Sequence, residues 1–317
     1  MNSHILATLT VTVPIILLII LGQITRVTRV ISDGGLQDIK KLIVNVALPA
    51  VFFQTFLTIE VDPRYLVLNV AVLAILTVLL LAGYLIARLP LWGGSPATVP
   101  FLMTGFEFGM LGISLFGTVW GMDRIGAISV LGLPHELFIW FLYVTLLKRR
   151  FGGETSPGAT LRSFVSSPII IAIFAGVILN VTGIGAALSP SLPGQALLRT
   201  TDLVGSIIGP LILLVIGHGM RIRWSAVVAA APLVLIRGAV VVAMGLFMVP
   251  WLIALLGLPP IYQHALFTLL ILLRPFIIPL YLPAERKDDL AYANTVLSTY
   301  TLFSIVVFIL YVTMMQG

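Results

Sequence analysis

Residues Gly105 to Gly112, GFEFGMLG, put three glycines and a carboxylate in the middle of an apolar run that extends from Thr98 to Val119. A second run, His264 to Pro283, is interrupted at a comparable point by Arg274-Pro275-Phe276-Ile277-Ile278-Pro279. Glycine weakens a helix and proline removes an amide donor. Neither run is therefore expected to stay a regular helix. The freed amides and carbonyls would be costly against lipid and are tolerable only inside protein or beside a watery cavity. Two broken helices that cross meet that requirement and aim their ends at a small solute.

Working outward, the whole chain has the composition of a membrane protein. Of its 317 residues 59% are hydrophobic and only 9% charged, against about 25% charged in soluble domains. An ordinary soluble enzyme, a nucleic-acid binder and a disordered scaffold are excluded on that ground. Cysteine is absent, so disulfides, thiol nucleophiles and cysteine metal sites are excluded too. Spanning helices need about 20 mainly apolar residues, and ten such segments emerge. They run from Ile5 to Ile24, Lys41 to Ile59, Tyr65 to Ala87, Thr98 to Val119, Ile125 to Leu147, Pro168 to Gly183, Leu203 to Met220, Ala226 to Leu256, His264 to Pro283 and Leu290 to Met315. The first is read as a true span rather than a signal peptide, because Arg26 and Arg29 follow the apolar run instead of preceding it.

Charge fixes the direction. Thirteen of the eighteen Lys and Arg fall in the loops after segments one, three, five, seven and nine, and three in the loops on the other side. The positive-inside rule then places both termini outside and the loop KRRFGGETSPGATLRS, Lys148 to Ser163, in the cytoplasm. The expected address is a bacterial-type inner (plasma) membrane, and the lipid bilayer is the first partner.

The halves on either side of that loop repeat their punctuation. Pro14 answers to Pro168, Pro49 to Pro210, and the break at Glu107 to the break from Arg274 to Pro279. Five spans per half is an odd number, so consecutive halves have opposite orientations. The fold class expected is an all-α membrane protein of ten transmembrane helices, a 5+5 inverted repeat with broken, crossing helices four and nine. Its parts are a first repeat over 1–147, a cytoplasmic linker over 148–166 and a second repeat over 167–317.

The remaining two arginines, Arg237 and Arg274, lie inside spans together with Glu107, His135 and Glu136. Ionisable groups at that depth cost about 2.5 to 3.5 kcal/mol each, so each has a partner or a task. The structural alternative is a set of buried salt bridges holding the helices together, and Arg237 is read that way, a helix away from the cavity. Glu107 and Arg274 occupy the breaks themselves. If they face one another, protonating Glu107 frees Arg274 for a carboxylate, and proton and anion enter together. His135 is weighted below Glu136, and His218, near the end of segment seven, is read as interfacial. Asn45 and Gln54 offer further polar contacts or plain interhelical hydrogen bonds. No metal-ligand spacing, phosphate loop or nucleophile elbow appears, so neither a cofactor nor enzymatic catalysis is expected.

Four stretches, two in each half, carry a family resemblance. TVPIILLIILGQITR (Thr12 to Arg26) with IKKLIVNVALPAVFF (Ile39 to Phe53), and in the second half SPIIIAIFAGVILNVTG (Ser167 to Gly183) with GPLILLVIGHGM (Gly209 to Met220), resemble the auxin efflux carrier family. That family includes plant PIN-type auxin exporters and bacterial organic-acid transporters and is related to the bile-acid symporters. The resemblance implies that spans 1, 2, 6 and 7 form a dimerising scaffold. Spans 3–5 and 8–10 would form a transport domain that moves by an elevator or rocking motion, with the pocket at the crossing of helices four and nine. It carries the family's crossover asparagine onto Glu107, its Gly-Ile-Pro onto Gly112, Ile113 and Ser114, and its helix-nine crossover proline onto Pro279. The spacing Glu136 to Trp140 is similar to a stretch that lines the substrate pocket. The substrate-contacting set then comprises Glu107, Phe108, Gly109, Glu136, Arg274, Pro275, Ile278, Pro279, Asn45 and Gln54. Glu107 and Glu136 serve proton coupling, while Arg237, His135, Trp140 and Ser114 are secondary or structural.

Carboxylates stand where the family has neutral amides, and an arginine stands beside the helix-nine break. The function expected is a secondary active transporter of a small organic anion, probable substrates being carboxylates, with proton or sodium coupling. An uncoupled auxin-like carrier, a carrier of a cationic or zwitterionic solute, a channel and a solute sensor are the alternatives. A homodimer is implied, and no nucleic acid.

Overall fold

The computed structural model describes residues 3–59, 62–151, 156–188, 190–219, 224–272, 278, 282 and 285–316, and every regular element among them is helical. The elements used below are α1 (Ser3–Val27), α2 (Gly34–Thr58), α3 (Arg64–Ile86), α4 (Val99–Met103), α5 (Ile113–Trp120), α6 (Gly126–Phe151), α7 (Pro168–Val181), α8 (Leu192–Gly219), α9 (Val227–Leu255), α10 (Ile261–Ile271) and α11 (Lys287–Gln316). Among the described residues six of these, α2, α3, α6, α8, α9 and α11, are long and apolar enough to cross a membrane. The apolar stretches in α1, α7 and α10 are shorter. Leu66, Val70, Leu81 and Leu85 of α3 are all more than half exposed. A soluble helix would not turn such a stripe to water, and a multi-pass membrane protein turns it to lipid.

The chain divides into two compact units. Unit 1 consists of Met1–Asp62, Gly109–Ser129 and Leu161–Met220, and unit 2 of Pro63–Phe108, Val130–Thr160 and Arg221–Gly317.

In unit 1, α1 packs on α8 and α7 packs on α2, each through glycines that let the backbones approach. A Cβ on Gly22 would collide with the Leu214 carbonyl, and one on Gly217 with the Ile19 carbonyl. In the second pair a Cβ on Gly176 would lie 2.6 Å from the Phe53 carbonyl oxygen. A side-chain amide seals each contact: Gln23 donates to the Gly217 carbonyl, and Asn180 donates to those of Phe56 and Ile59 at 3.0 and 2.7 Å.

In unit 2, α3 packs on α4 and α9 on α11. Phe101 of α4 meets Tyr143 of α6 edge to face at 5.4 Å. At the start of α11, Asp289 accepts from Arg286 Nε at 2.7 Å and from the Ser95 amide at 2.8 Å, which anchors the loop leading into α4.

Several boundaries differ from the sequence reading. Segment four is two short helices: α4 ends at Met103, residues 104–107 are not helical, and a π turn at Phe108–Gly112 leads into α5. The chain passes from unit 2 to unit 1 inside this segment. Segment seven starts at Leu192 rather than Leu203, because Ser191 caps the Gly194 amide at 3.2 Å and Pro193 suits the first turn. Its polar first turns hid it from an apolar count. His218, near the end of α8, is 3% exposed, and its Nδ1 lies 3.2 Å from the Thr25 hydroxyl.

Replacing Gly176 by Leu should remove about 1–3 kcal/mol of stability through overpacking, seen as a lower melting temperature of the purified protein in detergent. Ile178→Leu, on the exposed side of α7, should leave it unchanged.

Candidate functional site

The site begins with two helix ends in unit 2. At Thr104, which follows α4, and at Leu272, which follows α10, the backbone turns extended, with ψ of 152° and 143°. Beyond Thr104, Gly105 takes φ 91°, a conformation open to glycine and strained for other residues. The last carbonyls of both helices are thereby left without intrahelical donors.

Arg237 of α9 supplies them. Its Nε donates to the Met103 carbonyl at 3.1 Å, and its Nη2 donates to the carbonyls of Gly105 at 3.0 Å and Leu272 at 2.9 Å. The side chain is 0% exposed. A buried cation needs compensation, and among the described residues no carboxylate provides it. The negative ends of two helix dipoles do so instead, with the Tyr300 ring 4.4 Å below the guanidinium carbon. Hydroxyls from other helices complete the support: Tyr143 donates to the Phe101 carbonyl at 2.7 Å, and Ser304 donates to that of Ile271. The sequence reading allowed Arg237 a structural place a helix away from the cavity; its long side chain on α9 reaches both helix ends.

His135 holds the next part of the break. The Phe106 amide donates to His135 Nε2 at 2.9 Å, so that nitrogen carries no proton and Nδ1 does. Nδ1 then donates to Glu136 Oε1 at 3.3 Å, while Trp140 Nε1 donates to Glu136 Oε2 at 3.2 Å. The imidazole is neutral, completely buried and stacked on the Phe106 ring at 5.4 Å. His135 is thus more central than its low weighting in the sequence implied: two adjacent residues of α6 act as one connected group. Glu107 follows Phe106 directly and is 8% exposed.

The other residues singled out from the sequence fall as follows. Phe108 is buried in unit 2, its ring against Gly132. In unit 1 Gly109 lies beside Leu48. Ser114 is buried and donates to the Gly209 carbonyl at 3.0 Å, so it joins α5 to α8 and takes no part in breaking segment four. Asn45 is exposed and donates to the Lys41 carbonyl of its own helix at 2.9 Å. Gln54 donates to Asp202 and accepts from Thr201, both at 2.6 Å. Gln54 thus makes interhelical hydrogen bonds and Asn45 one within its own helix. Ile278 is buried, whereas Arg274, Pro275 and Pro279 lie outside the described residues, as does any pairing of Arg274 with Glu107.

Unit 1 also holds an open cavity of about 710 Å³ between α2, the loop after α5 and the first turns of α8. Gln54, Thr58, Asp123, Arg199 and Asp202 are among its lining residues. Compared with known proteins, the chain matches no family model and no curated protein.

Arg237→Met should leave three carbonyls without their donor, at about 1–3 kcal/mol each, and lower the melting temperature strongly. Arg237→Lys should recover only part of it, because one ammonium does not reproduce the planar fork. Cleavage at residues 104–108 in limited proteolysis should rise in both variants. His135→Phe should cost about 1–3 kcal/mol through the orphaned Phe106 amide, read in the same melts.

Proposed function

We propose that this chain is a secondary active transporter that moves a small organic anion of the carboxylate class by alternating access, with Glu107 as its proton-loaded group. One observation carries the reading: a buried carboxylate stands on non-helical backbone between a helix end held by a buried arginine and a π turn. A helix that merely crossed lipid would have no use for open backbone or for a charge at that point. Transport proteins use both to bind a solute near the midplane.

The ten-span inverted repeat belongs to the same proposal and is supported by matching contacts. Pro14 and Pro168 are 154 residues apart, and so are Gly22 and Gly176. Pro49 and Pro210 are 161 apart, and so are Phe53 and Leu214. Gly22 packs on the Leu214 carbonyl, and Gly176 packs on that of Phe53. The carbonyls of Phe56 and Gly217, again 161 apart, each accept from a side-chain amide of the facing helix. Chance recurrence of prolines does not account for equivalent glycines meeting equivalent carbonyls.

Within this reading unit 1, which contains segments one, two, six and seven and the second half of four, is the scaffold. Unit 2, with segments three, eight, nine and ten, segment five from Val130 onward and the first half of four, is the transport domain. The partition of the chain into those two units supports the assignment. Substrate carboxylate binds Arg274 when Glu107 is protonated, and deprotonation of Glu107 returns the arginine to its internal partner. Glu136, held by His135 and Trp140, lines the same pocket. Both termini lie outside, and an ion gradient drives the cycle.

In proteoliposomes, Glu107→Gln should abolish acceleration of carboxylate uptake by an inward proton gradient and flatten the pH dependence, while carboxylate binding persists. Full transport with an unchanged pH profile would overturn the assignment.

A further inference from the structure

The polar cavity of unit 1 has no task in the reading above. It owes its existence to the early start of α8: capped at Ser191, the helix contributes polar turns before its apolar part begins. Arg199 and Asp202, three residues apart, stand on one face of those turns and both line the cavity. Opposite charges at this spacing ordinarily pair, as Asp38 and Lys41 do here at 3.0 Å. Arg199 and Asp202 do not, and neither forms an ion pair with any other group among the described residues.

The reason lies in α2. Gln54 Nε2 holds Asp202 Oδ1 at 2.6 Å, and the buried Thr201 fixes the other end of the same amide, also at 2.6 Å. The carboxylate is thus positioned by a neutral donor and keeps its charge uncancelled. The cavity therefore presents a cation and an anion one helical turn apart, with the hydroxyl of Thr58 in the same lining; Asp123, also in the lining, is paired with Arg124 at 3.9 Å. Its volume of about 710 Å³ lies in the range of small-molecule pockets, about 300–1,000 Å³.

A simple carboxylate entering this space gains Arg199 and meets Asp202. A simple amine gains Asp202 and meets Arg199. A molecule that carries both charges satisfies both groups. We propose that this cavity is a binding site for a small amino-carboxylate, its carboxylate received by Arg199 and its ammonium by Asp202. The residues of this site all belong to unit 1 and none is used in the transport reading above, so the binding stands without that reading.

The test uses the full chain purified in detergent and titrated with L-alanine, β-alanine and 4-aminobutyrate, with propionate and propylamine as single-charge controls. Saturable thermal stabilisation is expected from at least one amino acid and from neither control. Asp202→Asn keeps an acceptor for Gln54 and removes the charge, and Arg199→Gln removes the other. Each should weaken binding about tenfold or more with the unliganded melting temperature unchanged. Equal stabilisation by propionate, stabilisation that survives both charge removals, or no stabilisation by any amino acid in the folded protein would each overturn the proposal.

Discussion

A guanidinium sealed from water holds the open ends of two helices in unit 2, and the rest of the break depends on it. Helix ends exposed to hydrocarbon would leave carbonyls without donors, and the chain could avoid that cost only by remaining helical. Arg237 removes the cost with a planar set of donors that reaches α4 and α10 at once. In return the two helix ends stabilise a charge that would otherwise be prohibitive at that depth. Each half of the arrangement makes the other affordable, which is why a lone arginine persists in a span as apolar as α9.

The α6 group extends the same logic. The Phe106 amide, released where α4 stops, needs an acceptor, and neutral His135 is one. Its second nitrogen then orients Glu136, which Trp140 fixes from the other side. Backbone geometry at the break and the orientation of a carboxylate on another helix are thus joined through one ring. Glu107 sits at the point where this group and the Arg237 clamp meet along the chain, so its surroundings are set by rigid partners rather than by a flexible loop. In unit 1 polar groups are used differently. The helix pairs there are closed by glycines and single amides, and among the described residues Arg199 and Asp202, which line the cavity beside Gln54, form no ion pair.

Much of the architecture was legible in residue order. Charge scarcity, the spacing of apolar runs and the glycines of GFEFGMLG point to membrane helices and to an interruption near Glu107, and the interruption is there. Paired prolines suggested matching halves, and the glycine contacts of α1 and α7 fit that suggestion. Other readings failed for identifiable reasons. The polar first turns of α8 read as loop because an apolar count does not register a helix whose face lines a cavity. Asn45 and Gln54 had the right chemistry for ligand contacts; the structure gives Asn45 a bond to its own helix and sets Gln54 in the cavity lining, bonded to Asp202 and Thr201. Ser114 stands where the resemblance would put a helix-breaking proline, and the backbone departs from helix earlier, at Thr104.

Composition and spacing by themselves determined that this is a multi-pass helical chain with a defect in segment four, because burying apolar surface and satisfying backbone polar groups in lipid are local requirements along the chain. They also flagged Arg237 as anomalous without revealing its purpose. Only the tertiary structure decided that its guanidinium reaches Met103, Gly105 and Leu272, residues more than thirty to more than a hundred positions away, and that Gln54 keeps Asp202 from neutralising Arg199. Which donor meets which acceptor depends on how helices distant in sequence come to lie side by side, and no periodicity within one helix encodes that.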